Sequence, residues 1–210
     1  MTRDLISRLE FALSKELPGN RAHQEMISYS RPSADIVKTL NVKPRESAVL
    51  ILLYQDNKDW FFPLIKRQEY DGVHSKQIGL PGGQFEAGDR DLEYTSIRET
   101  NEELGVEPSR IKIIGQLSEI YIPPSNFLVQ PYVAFMDEFR EFIPDEVEVN
   151  RVIKTSVHDL LSLQIEKRDK YIQNGKLKME VSSFIIDQEV VWGATAMMLN
   201  EFRTILKENI

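Results

Sequence analysis

The sequence has no cysteine, which excludes disulfides, thiolate metal ligation and a cysteine nucleophile. Histidine is scarce at three residues. His23 and His158 belong to no constellation, and His74 falls just before a glycine-rich turn. No serine stands in a nucleophile context. No apolar run approaches the ~18 residues that a membrane helix needs. The first segment, TRDLISRLEFALSKELPG, is charged throughout and lacks the apolar core of a signal peptide, so the expected compartment is the cytoplasm. Positive charge is in the minority: 26 Lys and Arg stand against 33 Asp and Glu, a net charge of −7. That balance argues against general binding to nucleic acid or to an anionic membrane. It leaves room for a small anionic ligand held by a local basic patch or a metal. No internal repeat or low-complexity segment interrupts the chain.

What is present fits one domain with a substantial core, 41% hydrophobic and 28% charged over 210 residues. Residues 1–44 read as a helical extension packing on a domain that runs from 45 to 210. Leu5, Leu9, Ala12, Leu13 and Leu17 recur at helical spacing and predict a helix over 3–17, stopped by Pro18-Gly19. A second short helix is expected around 34–40. SAVLILLY (47–54) and WFFPLIKR (60–67) are apolar runs joined by DNKD, which predicts a hairpin with one fully buried strand. IGLPGGQFEAGD (78–89) reads as a strand entering a glycine turn. Helical composition holds from about 91 to 104, and Gly105 suits the left-handed position past a helix end. Further strands are expected over 111–122, 127–136 and 146–155, then a short helix from Val157, a polar hairpin around NGK (174–176) and a closing helix over 192–209. This order predicts an α/β fold, a mixed sheet packed by helices.

RETNEELG (98–105) crowds like charges that repel one another at helical spacing. With Leu92 at zero and about 100° per residue, Ser96, Thr100, Leu104 and Ile97 form the buried stripe. Glu103 then falls near roughly 20° and Glu99 near roughly 340°, flanking that stripe, with Glu102 further out. Carboxylates beside a buried face are costly unless positive charge meets them. An Arg98 salt bridge would serve, and so would a hard divalent cation, which prefers oxygen ligands. Pro81-Gly82-Gly83, just before the helix, lets backbone approach a ligand closely.

GGQFEAGDRDLEYTSIRETNEELGV (82–106) resembles the box of the Nudix hydrolase family: Gly, five residues, Glu, seven residues, Arg-Glu-apolar-x-Glu-Glu-x-Gly-apolar. Gly83, Arg98, Glu99, Glu102, Glu103, Gly105 and Val106 match. Asp89 stands where the first Glu belongs, one extra residue separates it from Arg98, and Thr100 replaces the apolar position. The resemblance implies a Nudix fold, an α/β/α sandwich around a mixed sheet. It also implies Mg²⁺ or Mn²⁺ held by Glu99, Glu102, Glu103 and the Gly83 carbonyl. Arg98 would orient the glutamates, and Glu99 would be a candidate base. PLIKRQEYDGVHSKQIGLPGG (63–83) is similar to the segment preceding the box in coenzyme A pyrophosphatases, with Ile65, Gly72, Lys76 and Leu80 departing from its signature. IYIPPSNFLVQP and VVWGATAMM also resemble that subfamily. This implies a small-molecule diphosphate substrate, coenzyme A or a derivative, cleaved to 3′-phosphoadenosine 5′-phosphate and 4′-phosphopantetheine. Arg67, Lys76, Gly82 and Gly83 would contact it, and Lys66 is a further cation in reach. PDEVEV resembles a subfamily segment that offers Glu148 as one more carboxylate, ligand or base. The alternatives are another nucleoside diphosphate derivative, such as ADP-ribose or a dinucleotide, and a non-catalytic nucleotide sensor. A homodimer stays open.

Overall fold

The structure, a computed structural model, describes residues 2–27, 32–40, 43–69, 77–172 and 177–209. The helices are α1 (Thr2–Leu13), α2 (Asn20–Gln24), α3 (Ala34–Thr39), α4 (Leu92–Leu104), α5 (Val157–Ser162) and α6 (Gly193–Asn209). The strands are β1 (Arg45–Asp56), β2 (Asp59–Arg67), β3 (Ile78–Gly79), β4 (Gly82–Gln84), β5 (Lys112–Gln116) and β6 (Ile120–Ile122). They continue with β7 (Phe127–Phe135), β8 (Val149–Ser156), β9 (Glu166–Ile172), β10 (Leu177–Ile186) and β11 (Glu189–Trp192).

The apolar run SAVLILLY explains the architecture. Side chains alternate between the faces of a strand, and here both faces are covered. Leu50, Leu52 and Tyr54 pack with Leu104 and Val106 beneath α4. Ile51 and Leu53 pack in a second core with Leu9 and Leu13 of α1 and Phe202 and Leu206 of α6. The result is a sheet between two helical layers. β1 turns into β2 through Asn57 and Lys58, both at positive φ (49° and 73°), the backbone that suits a two-residue hairpin to twisted strands.

Among the described residues the main sheet has eight strands in the order β3-β2-β1-β7-β5, with β4 on β1, β6 on β7 and β8 on β2. β1 and β7 run parallel, and the other pairings are antiparallel. β11-β10-β9 form a separate antiparallel sheet. The polar hairpin expected around NGK corresponds to the paired β9 and β10, and its turn lies outside the described residues. Among the described residues no helix is long and apolar enough to cross a membrane.

Four expectations need correction. The first helix ends at Leu13, short of Leu17, where the Ser14 hydroxyl donates to the Phe11 carbonyl at 2.8 Å and competes with helix continuation. α2 forms in a stretch that shows little periodicity. The strand over 111–122 breaks between Gln116 and Ile120, because the Ser118 N–H turns to the Glu201 carboxylate at 3.2 Å. The strand expected from 146 starts at Val149, since the Asp145 side chain takes the Val147 N–H at 2.7 Å and its carbonyl takes the Val149 N–H at 2.8 Å.

Helix α3 lies against β6, α2 against α6, and α1 against α6 and β5. Gly115 is required there, because a Cβ would stand 2.7 Å from Leu13 Cβ. Glu201 of α6, fully buried, accepts from Gly19 N–H at 3.1 Å and Ser118 Oγ at 2.7 Å. Its other oxygen pairs with His23 Nε2 at 2.9 Å.

Candidate active site

Helix α4 is fixed at both ends by local chemistry. The Asp91 side chain accepts the Tyr94 N–H at 2.7 Å, an N-cap bond. Gly105 closes the helix at φ 68°, its N–H meeting the Asn101 carbonyl at 2.8 Å. On the sheet side Thr95, Ser96, Thr100 and Leu104 are buried. Glu103, on the flank of that stripe, is 1% exposed, whereas the Glu102 side chain is 53% exposed.

β4 brings the glycine turn to this helix through its pairing with β1, Gly83 opposite Ala48. The fit is tight: a Cβ on Gly83 would stand 2.4 Å from the Glu99 carboxylate. Gly82 adopts φ 145°, and a Cβ there would meet the Ala48 carbonyl oxygen at 2.3 Å. The Gly82 N–H donates to Glu103 Oε2 at 2.8 Å. Arg67 donates to the Gly82 carbonyl at 2.9 Å, and its Nη1 lies 3.1 Å from Glu103 Oε1. That last contact is a charge pair without hydrogen-bond alignment, so Glu103 Oε1 is buried with no hydrogen-bond donor.

Arg98 gathers the remaining acids. It grips Asp89 with two bonds, 2.8 and 2.9 Å, and reaches Glu99 at 3.0 Å and Glu102 at 2.8 Å. Asp89 also accepts from Thr95 Oγ1 and the Glu86 N–H. The Arg98 bonds lead the effects that hold the Asp89 carboxyl well below the usual range. Glu99 and Glu103 shift the other way. Burial pushes Glu103 up to about 7 against the pull of Arg67 and the Gly82 N–H, and burial raises Glu99 against Arg98. Glu148, exposed just ahead of β8, stands near enough to add to both rises.

The structure therefore brings Arg67, Gly82, Gly83, Arg98, Glu99, Glu102, Glu103 and Glu148 to one region. Lys76 lies outside the described residues. Lys66 points elsewhere, to Glu189 at 2.7 Å. Asp89 was placed by motif position, but its bidentate hold on Arg98 was not foreseen. The Glu201 network was also missed, although Glu201 follows Met197 by one helical turn and so falls on an apolar stripe. A cleft of about 380 Å³, lined by Leu17, His23, Gln130 and Met197 among others, opens beside the N-terminal segment. None of the box carboxylates lines it.

Among the described residues no three carboxylate or imidazole side chains stand in ready metal-ligand geometry, since Arg98 takes up Glu99 and Glu102. The donor set nonetheless suits a hard divalent cation. It is all oxygen, it includes the orphaned Glu103 Oε1, and it gathers carboxylates whose burial Arg67 and Arg98 offset only in part.

A family model described as the NUDIX domain matches residues 44–173. The chain belongs to the Nudix family, whose members generally use divalent metal ions. It is 29% identical over 171 residues to Nudix hydrolase 22, chloroplastic, of Arabidopsis thaliana, covering 78% of this chain and 56% of the relative. It is 30% identical over 129 residues to mitochondrial coenzyme A diphosphatase NUDT8 of Mus musculus, covering 60% and 61%. The chain thus spans little more than half the length of these relatives. Among solved structures, a C. elegans Ap4A hydrolase binary complex aligns with a TM-score of 0.52 at 15% identity, covering 78% of this chain and 98% of that one. That likeness bears on the fold alone, and it agrees with the Nudix sandwich.

Proposed function

We propose that the chain is a metal-dependent pyrophosphohydrolase that cleaves the diphosphate of coenzyme A or its derivatives to 3′-phosphoadenosine 5′-phosphate and 4′-phosphopantetheine. The observation that carries this reading is the convergence of Glu99 and Glu103 on the Gly82-Gly83 backbone, with one buried carboxylate oxygen left without a donor. Similarity to a relative named as a coenzyme A diphosphatase supports the substrate class, as does the resemblance over 63–83.

Glu99, Glu102 and Glu103, with the Gly83 carbonyl, would hold Mg²⁺ or Mn²⁺. Such an ion supplies positive charge against the diphosphate oxygens and acidifies water. The protein's own groups do the rest. Arg98 fixes Glu99 and Glu102 in place. The bare Gly82-Gly83 backbone lets the Glu99 carboxylate and the β1 backbone close up against the turn, where a side chain would collide with them. Glu99, raised by its burial, accepts the proton of the water attacking phosphorus, with Glu148 as the neighbouring carboxylate for the same task. The anhydride P–O bond breaks, and the second phosphate leaves with the bridging oxygen.

Product analysis by mass spectrometry tests this. Coenzyme A, ADP-ribose and NADH are incubated separately with Mg²⁺, with Mn²⁺ and with chelator. Metal-dependent 4′-phosphopantetheine, formed fastest, is the expected outcome. AMP from ADP-ribose with coenzyme A untouched would move the substrate. No product under either metal would favour a nucleotide sensor.

A further inference from the structure

Arg67 occupies the position that the coenzyme A segment associates with substrate, yet both ends of its guanidinium are engaged inside the protein. The register of β2 against β8 shifts between Lys66 and Arg67. Lys66 is tied to Glu189 of β11, while Arg67 turns to the glycine turn. There its Nη2 donates to the Gly82 carbonyl at 2.9 Å and its Nη1 stands 3.1 Å from Glu103 Oε1. The Gly82 N–H returns to Glu103 Oε2 at 2.8 Å. Arg67, Gly82 and Glu103 thus close a ring that joins three separate elements, β2, β4 and α4. Within it Glu103 is 1% exposed on its side chain and Arg67 26%. A planar guanidinium can serve two acceptors at fixed separation, which a single ammonium cannot.

We propose that Arg67 is a positioning residue: it braces the Glu103 carboxylate and the Gly82 carbonyl in the arrangement that receives the divalent cation, rather than gripping substrate phosphate. The inference rests on the reading of Glu103 as a metal ligand. The two roles separate experimentally. A brace acts before substrate arrives, so its loss weakens the bare ion. A phosphate clamp leaves the ion alone and weakens the substrate.

Mn²⁺ binding to the full chain without substrate is followed by electron paramagnetic resonance, alongside kcat and KM for coenzyme A or, if that is not cleaved, ADP-ribose. Arg67→Met is expected to weaken Mn²⁺ by about 10- to 100-fold, the usual cost of removing a group that orients a ligand. It lowers kcat, with KM within about threefold. Arg67→Lys keeps the charge but has one nitrogen for two acceptors, and its Mn²⁺ affinity falls between the two. If Arg67→Met melts below the assay temperature in chelator, Arg67→Lys decides the question by the same readout. Unchanged Mn²⁺ affinity with KM raised tenfold would overturn the brace while leaving the hydrolase reading intact. Wild-type protein that binds no Mn²⁺ would overturn the metal reading of Glu103 and the brace with it.

Discussion

Gly83 and Glu99 divide a space too small for one more methyl group. A Cβ at 83 would stand 2.4 Å from the Glu99 carboxylate, so Gly83→Ala is expected to push Glu99 aside and cut turnover by about 100-fold or more. Thermal melting of that variant moves little, because the atom displaced ends a side chain. Gly82→Ala behaves differently. Its Cβ would meet the Ala48 backbone 2.3 Å away at φ 145°, and strain of that kind costs on the order of 1–3 kcal/mol or more, read directly in urea denaturation. Glu103→Gln retains the volume and is expected to abolish turnover in Mg²⁺; unchanged turnover would remove Glu103 from the ligand set. The position of Glu103 was legible, since helical geometry alone sets it at the margin of the buried stripe. The Asp89–Arg98 grip was not, because it depends on how the loop through Glu86 folds back to the helix.

Helix α4 owes its limits to Asp91 and Gly105; the sequence marks Gly105 as the residue past the helix end, whereas Asp91, expected inside the helix, is its N-cap. Asp91→Ala is expected to cost about 1 kcal/mol through loss of the cap. Gly105→Ala adds left-handed strain to a contact 2.9 Å from Ile143 Cβ, and calorimetry of the two variants ranks Gly105→Ala as the more damaging. Elements with signals of this local kind, the β1–β2 hairpin, α4 and α6, were readable from residue pattern. α2 and the break between β5 and β6 were not. Their backbone groups turn to Glu201, more than eighty residues away in sequence, and periodicity has no access to a partner at that range.

At the scale of the whole molecule, Glu201 ties the N-terminal segment, the β5–β6 break and the closing helix together. Burial pushes its carboxyl up, but the bonds from His23 and Ser118 outweigh this and leave it below its ordinary value of 4.5. A carboxyl depressed in the folded state contributes stability above the unfolded value and loses it as pH falls through the folded one. Glu201→Gln is therefore expected to be less stable than wild type at pH 7, by about 1–3 kcal/mol. The gap narrows as pH drops below 4.5, which denaturation at a series of pH values measures. The parallel pairing of β1 with β7, Ala48 opposite Gln130, bears on time as well as on form. It closes a loop of roughly 80 residues, an entropic step that local hairpins never meet, and α4 lies wholly within that loop. During refolding the β1–β2 hairpin is free to form early. The carboxylates gain their glycine turn through the pairing of β4 with β1, Ala48 opposite Gly83, a closure of roughly 35 residues, so affinity for the cation is expected to return before the long loop has shut.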